Sequence, residues 1–198
     1  MKLTILMASG AALALTACGG SGAESDNMTA ADNLAMADDM AMNDMAPADG
    51  AVPASGQEYA AMAAASDLYE IESARLAMER SENADIDALA QMIVTDHEKA
   101  TADLMTAAQQ AQPPITVTPE MSAEQQANME ALRAAEAATF DQTYLMQQIA
   151  AHQKALAMVQ GYAQSGDVPE LQQHATAVAG PIQQHLNRAR ELSQQAPQ

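Results

Sequence analysis

Four histidines, His97, His152, His174 and His185, are the side chains of this sequence best suited to holding a metal ion. His97 recurs with Ile86, Ala90, Ile93, Ala100 and Leu104 at alternating spacings of four and three. That is a heptad seam with an imidazole in it. Rotation along a helix puts His152 on an inward face with Asp141, Leu145, Gln148 and Val159. His185 falls at the edge of the Ile182/Leu186 face, and His174 on a similar edge nearer the start of that helix. Three inward histidines and one carboxylate at one level would suit Cu, Zn, Fe or Mn. Rotation points to Glu72 as the carboxylate of the preceding helix nearest its apolar face. The same residues also read as a buried polar network. Asp96 then orients a neighbour, Tyr144 donates to Asp141, Glu72 joins the network, and the histidines fix helix register. Both readings stand at this point.

Other chemistries find little support. A ferritin-type di-iron site needs Glu three residues before His on two helices. Here those positions are Val94, Ile149, Leu171 and Ile182. The chain has no HExxH, no Gly-rich phosphate loop and no GxSxG elbow. The expectation is a binding protein, not an enzyme. With 8 Lys and Arg against 26 Asp and Glu, the formal net charge is −18. Nothing in such a chain would neutralise phosphates, so nucleic acid is not an expected partner.

Ahead of the histidines lie other residues with chemical potential. Residues 1–17 have Lys2 followed by an apolar run too short to span a bilayer, as in a secretory signal. The segment Leu15-Thr16-Ala17-Cys18-Gly19 resembles the lipobox of bacterial lipoproteins. The resemblance implies a lipidated Cys18, a membrane partner through its acyl chains, and a place in the bacterial envelope. Gly19, by likeness to known sorting rules, favours the outer membrane facing the periplasm. Residues 18–57 then read as a disordered acidic tether carrying Glu24, Asp26, Asp32, Asp38, Asp39, Asp44 and Asp49 but no Lys or Arg. The same stretch holds Met28, Met36, Met40, Met42 and Met45. Thioethers are soft ligands, so Met36, Met40, Met42 and Met45 form a second candidate, for Cu(I). The plainer reading is a low-complexity spacer.

The elements that position the histidines follow from periodicity and breakers. Helices are expected over about 57–81 and 84–111, then a loop at Pro113, Pro114 and Pro119, then a short helix over 122–137. Ser122 with Gln125 makes a capping box, and Thr139 with Gln142 offers a second one for a helix running to 164. Asp167 can cap the last helix, Pro169 suits its first turn, and Gly180-Pro181 should kink it. The first helix should bury Ala61, Ala65, Leu68, Tyr69, Ile71 and Leu76. Four helices of some 25 residues, each about 38 Å long by helical rise, imply an all-α four-helix bundle over residues 58–198 with one extra short helix. By the same rise, His97 and His152 each lie about 20 Å from their turns, His185 about 25 Å and His174 only about 10 Å. His174 and Asp141 therefore belong at other levels.

The segments DLYEIESARLA (67–77), LAQMIVTDHEKA (89–100), FDQTYLMQQIAAHQKAL (140–156) and PIQQHL (181–186) resemble the motifs of the bacterial domain-of-unknown-function family 4142. That likeness covers roughly residues 58–195 and implies a ferritin-like bundle in a secreted or lipoprotein setting. It implies no firm activity. Its first motif places Glu70 where rotation places Glu72, so the carboxylate stays open between them. Ala-rich faces suit pairing with a second copy or an envelope protein.

Overall fold

The structure is a computed structural model and describes residues 52–195. The signal, Cys18 and the tether methionines lie outside the described residues. Five helices form: α1 (Gly56–Arg80), α2 (Ala84–Gln110), α3 (Ala123–Ala134), α4 (Ala137–Ser165) and α5 (Pro169–Gln195). Among the described residues there is no strand. No helix there is long and apolar enough to cross a membrane.

The helix starts show how the sequence sets these limits. Ser55 caps α1 by accepting from Glu58 N, and Asn83 caps α2 by accepting from Asp85 N. Ser122 and Gln125 close the expected capping box on α3. The start of α4 differs from expectation. It begins before Thr139, at Ala137, and Glu136 occupies the cap without a side-chain bond. Thr139 instead bonds back to the Glu136 carbonyl. Asp167 is likewise not engaged as a cap: it accepts the Tyr162 hydroxyl at 2.9 Å. Pro169 opens α5, where a missing N–H costs nothing, and the Val168 carbonyl takes the first helical bond from Gln172. The helix runs through Pro181 as one element.

The helices α1 and α2 pack as one hairpin, α4 and α5 as another, and α2 on α5 and α1 on α4 close the ring. A single long crossover, carrying α3, joins α2 to α4. At one end, Gly56 lets α1 approach α5: a Cβ there would sit 2.5 Å from Val168 and 3.1 Å from Ile115 and Leu171. At the other end, Arg80 donates to the Leu132, Arg133 and Ala135 carbonyls and lies 4.4 Å over the Phe140 ring, tying α1 to the end of α3.

Apolar packing divides into two clusters along the bundle axis. One holds Tyr59, Ala63, Leu104, Met158, Tyr162 and Leu171. The other holds Ala77, Ile86, Ile93, Phe140, Leu145 and Leu192. Between them runs a layer of buried polar groups: Asp67, Glu70, Ser73, His97, Gln148, His152 and His185. Buried polar groups cost free energy unless partnered. A whole layer of them breaking an Ala-rich core is the feature that asks for a function.

Candidate metal centre

Each long helix contributes to the polar layer: Asp67, Glu70 and Ser73 from α1, His97 from α2, Gln148 and His152 from α4, His185 from α5. The three imidazoles meet with ring centroids 5.3–5.7 Å apart. One nitrogen from each lies within 4.8 Å of the others. His174 stands apart, as helical rise implied. Its Nδ1 meets the Tyr59 hydroxyl at 2.8 Å and its Nε2 meets the Ala100 carbonyl at 3.1 Å.

The outward nitrogens assign the tautomers. His97 Nδ1 donates to Asp67 Oδ1 at 2.8 Å, His152 Nδ1 to the Gln148 carbonyl at 2.9 Å, and His185 Nε2 to Asp96 Oδ2 at 3.0 Å. A carbonyl or carboxylate only accepts, so these nitrogens carry the protons. The lone pairs of His97 Nε2, His152 Nε2 and His185 Nδ1 are left to face inward. Two of them, on His152 and His185, lie 3.2 Å apart. His97 Nε2 is buried with no partner at all. Three convergent lone pairs repel one another unless a cation sits among them. Backing each ring with an acceptor on its outer nitrogen is how proteins orient metal-binding histidines.

Electrostatics favour neutral rings at His152 and His185, whereas at His97 they favour the protonated ring, whose Nε2 proton a metal would have to displace. Burial, with the neighbouring His97 and His185, pushes His152 well below its ordinary value. Burial and His97 lower His185 against the pull of Asp96. Burial acts to lower His97 too, but its bond to Asp67 and the charges of Glu70 and Asp96 outweigh it and hold it above the usual value.

The structure resolves the carboxylate left open by the sequence. Glu70 is buried, with its Oε1 3.6 Å from His152 Nδ1. Glu72 is half-exposed and pairs with Arg133 at 3.5 Å. Ala65 and Tyr69 are buried as expected, but the rest of the expected stripe of α1 is offset from the buried one. Ala61 is exposed and Leu68, Ile71 and Leu76 are only partly buried, whereas Tyr59, Ala63, Asp67, Glu70, Ala74 and Ala77 face the core. Glu70 nevertheless faces the outward nitrogen of His152, so it sits behind that ring and outside the ring of three inward nitrogens. Burial raises its carboxyl to about 7 against the lowering effects of His97 and Gln148. Neither of its oxygens has a hydrogen-bond partner.

The remaining network assignments divide. Asp96 orients His185, as one reading of the sequence held. Tyr144 does not donate to Asp141: its hydroxyl is buried and unpartnered. Asp141 is half-buried and several turns from the centre. Asp67 is the buried residue beside the triad that sequence reasoning missed. It anchors His97 and also accepts from Thr101 at 3.0 Å. Gln148 adds a further tie, donating to Ser73 at 3.1 Å. Alongside the triad lies a cavity of about 130 Å³ whose walls include His97, His185, Asp67, Asp96, Tyr59 and Met158.

The family model described as "Domain of unknown function (DUF4142)" matches residues 25–192. Comparison with curated proteins gives no match. Two solved structures are similar in fold. One is described as "CopM in the Cu(I)-bound form", at 20% identity and TM-score 0.60, covering 71% of this chain and 96% of that one. The other, "CopM in the Cu(II)-bound form", has 20% identity and TM-score 0.60, covering 72% of this chain and 99% of that one. Likeness at this level shows the fold.

Proposed function

We propose that the chain, which belongs to the DUF4142 family, binds a transition-metal ion at His97, His152 and His185, with copper the foremost candidate. The observation that carries this reading is the convergence of three imidazole lone pairs, each ring held from behind and one lone pair buried without a partner. The residues fit an ion. Nitrogens bound at about 2.0–2.1 Å to one metal stand roughly 3.3–3.6 Å apart, a spacing the His152–His185 pair already approaches. His97, with a nitrogen within 4.8 Å of the other two, has to close in to join them. Asp67 and Asp96 lie behind two of the rings and would offset the ion's charge. Imidazole alone suits Zn, Fe and Mn as well as Cu. The copper-bound forms of the similar fold favour copper.

The cellular setting belongs to the same proposal. Cys18 would anchor the chain in the bacterial envelope through its lipid, with the bundle in the periplasm, and the tether thioethers of Met36, Met40, Met42 and Met45 would form a second, softer copper site. The role is then binding, not catalysis. The 3.2 Å contact between His152 and His185 also supports a second reading, a metal-free polar network with one proton shared between the rings.

Protein purified without an affinity tag, stripped and titrated with Cu, Zn, Fe and Mn, separates the two readings. The metal reading expects one equivalent bound per bundle and a melting temperature that rises with metal concentration. Less than about a tenth of an equivalent of every metal, with an unchanged melting temperature, would overturn it.

A further inference from the structure

The cavity beside the triad is one-sided. His97 and His185 form part of its wall, and so do their partners Asp67 and Asp96, while His152 and Glu70 lie outside it. An ion held by the three rings would have Glu70 on the far side of His152 and the cavity on the side of His97 and His185. Three protein nitrogens are also one donor short of a four-coordinate site, the pattern of sites that keep a position for an outside ligand.

The walls say what that ligand is. Tyr59 and Ala63 of α1, Met158 and Val159 of α4, and Val178 and Ile182 of α5 make much of the wall apolar, with Ser66 and His174 also on it. At the α2 side stand Asp96, Lys99 and Asp103. A cation passing Asp96 and Asp103 is drawn inward. Asp67, Asp96 and Asp103 on the wall offset the charge of the ion together with that of Lys99, so the chamber offers an anion little net attraction. Its volume of about 130 Å³ suits a molecule of a few heavy atoms. A hydrocarbon or ring gains from the apolar wall.

We propose that this cavity takes a small neutral ligand, with an apolar body and one lone-pair donor atom, that completes the coordination of the ion at the triad. The proposal rests on the metal reading above. The chain's own rival for the position is the thioether of Met158, which lines the same chamber.

The test uses the full chain loaded with Cu(II), the probe 1-methylimidazole, and the copper EPR and visible spectra as readouts. Copper affinity is measured separately for each variant, so that failure to bind copper counts against the metal site and failure to bind the probe against the cavity. Expected is saturable uptake of one equivalent of probe with a shifted copper spectrum. Ala63→Leu, which fills the chamber from α1, should keep copper affinity within about threefold and weaken the probe by about ten-fold or more. Val178→Phe fills it from α5 and serves if Ala63→Leu does not fold. The proposal is overturned by a probe that leaves the spectrum of copper-loaded protein unchanged, or by equal probe affinity in the filled variants. It is also overturned if Met158→Leu lowers copper affinity and only then admits the probe.

Discussion

His97 Nδ1 and Asp67 Oδ1 meet at 2.8 Å across the α1–α2 interface, with side chains only 5% and 9% exposed. This pair aims the other nitrogen of His97 at His152 and His185. Asp67→Asn keeps the shape but removes the charge and lets the amide present a donor to the ring. Copper affinity should fall by about 10–100-fold while the bundle stays folded. Calorimetric titration of copper into both proteins measures it. Equal affinities would remove Asp67 from the site.

Glu70 and Glu72 of α1 should respond differently to substitution. The Glu70 carboxyl, raised to about 7 by burial, favours its protonated form in the folded chain. Its contribution to stability is complete below the ordinary carboxylate range and is lost as pH rises through about 7. Glu70→Gln should therefore stabilise metal-free protein by about 1–3 kcal/mol at pH 8 and change little at pH 4. Glu72→Gln, on the surface beside Arg133, should stay within about 0.5 kcal/mol at either pH. Chemical denaturation at the two pH values gives the comparison. A larger effect at Glu72 would restore the rotation argument.

Tyr59 and His174 form a separate pair, packed against the Tyr162 ring stacked 4.1 Å from Tyr59. Tyr59→Phe leaves His174 Nδ1 without its donor and should cost about 1–3 kcal/mol of stability. Copper affinity should move by less than about threefold, since this pair stands outside the triad. Burial also lowers His174, against the Ala100 carbonyl and the nearby Asp67 and Asp103 and together with Lys99. Its neutral form is the native one, so its contribution is present above pH 6.5 and is lost as pH falls below it. Replacing it with Gln should flatten that part of the stability-against-pH curve.

Cys18 is the proposed lipid anchor. Cys18→Ser should move the protein from the membrane fraction to the soluble periplasmic fraction, and mass spectrometry should find the acyl mass only on the Cys form. An unmodified Cys18 in the membrane fraction would contradict the anchor.

The histidines were legible because helical rise fixes height whatever the packing: His97, His152 and His185 had to share a level, and His174 had to miss it. Rotation was less informative on α1. With alanine on several faces, hydrophobicity does not single out the buried one, and two acids at core positions look like surface. The spacing of Tyr59, Ala63, Asp67, Glu70, Ala74 and Ala77 in fours and threes is the signal that would have found both. The family motif supplied Glu70 where periodicity did not. Tyr144 could not be read, since a buried hydroxyl without a partner breaks the rule used to place it. The start of α4 was misplaced because a capping-box pattern at Thr139 and Gln142 lies within a helix that already begins at Ala137.

The position of a bound copper ion is the most direct test of a metal centre at His97, His152 and His185. Crystals of the copper-loaded protein, measured on both sides of the copper absorption edge, would place it. The expected result is one anomalous peak in the bundle about 2.0–2.1 Å from His97 Nε2, His152 Nε2 and His185 Nδ1. A bundle without a peak there, with the His152 and His185 rings still in direct contact, would contradict it.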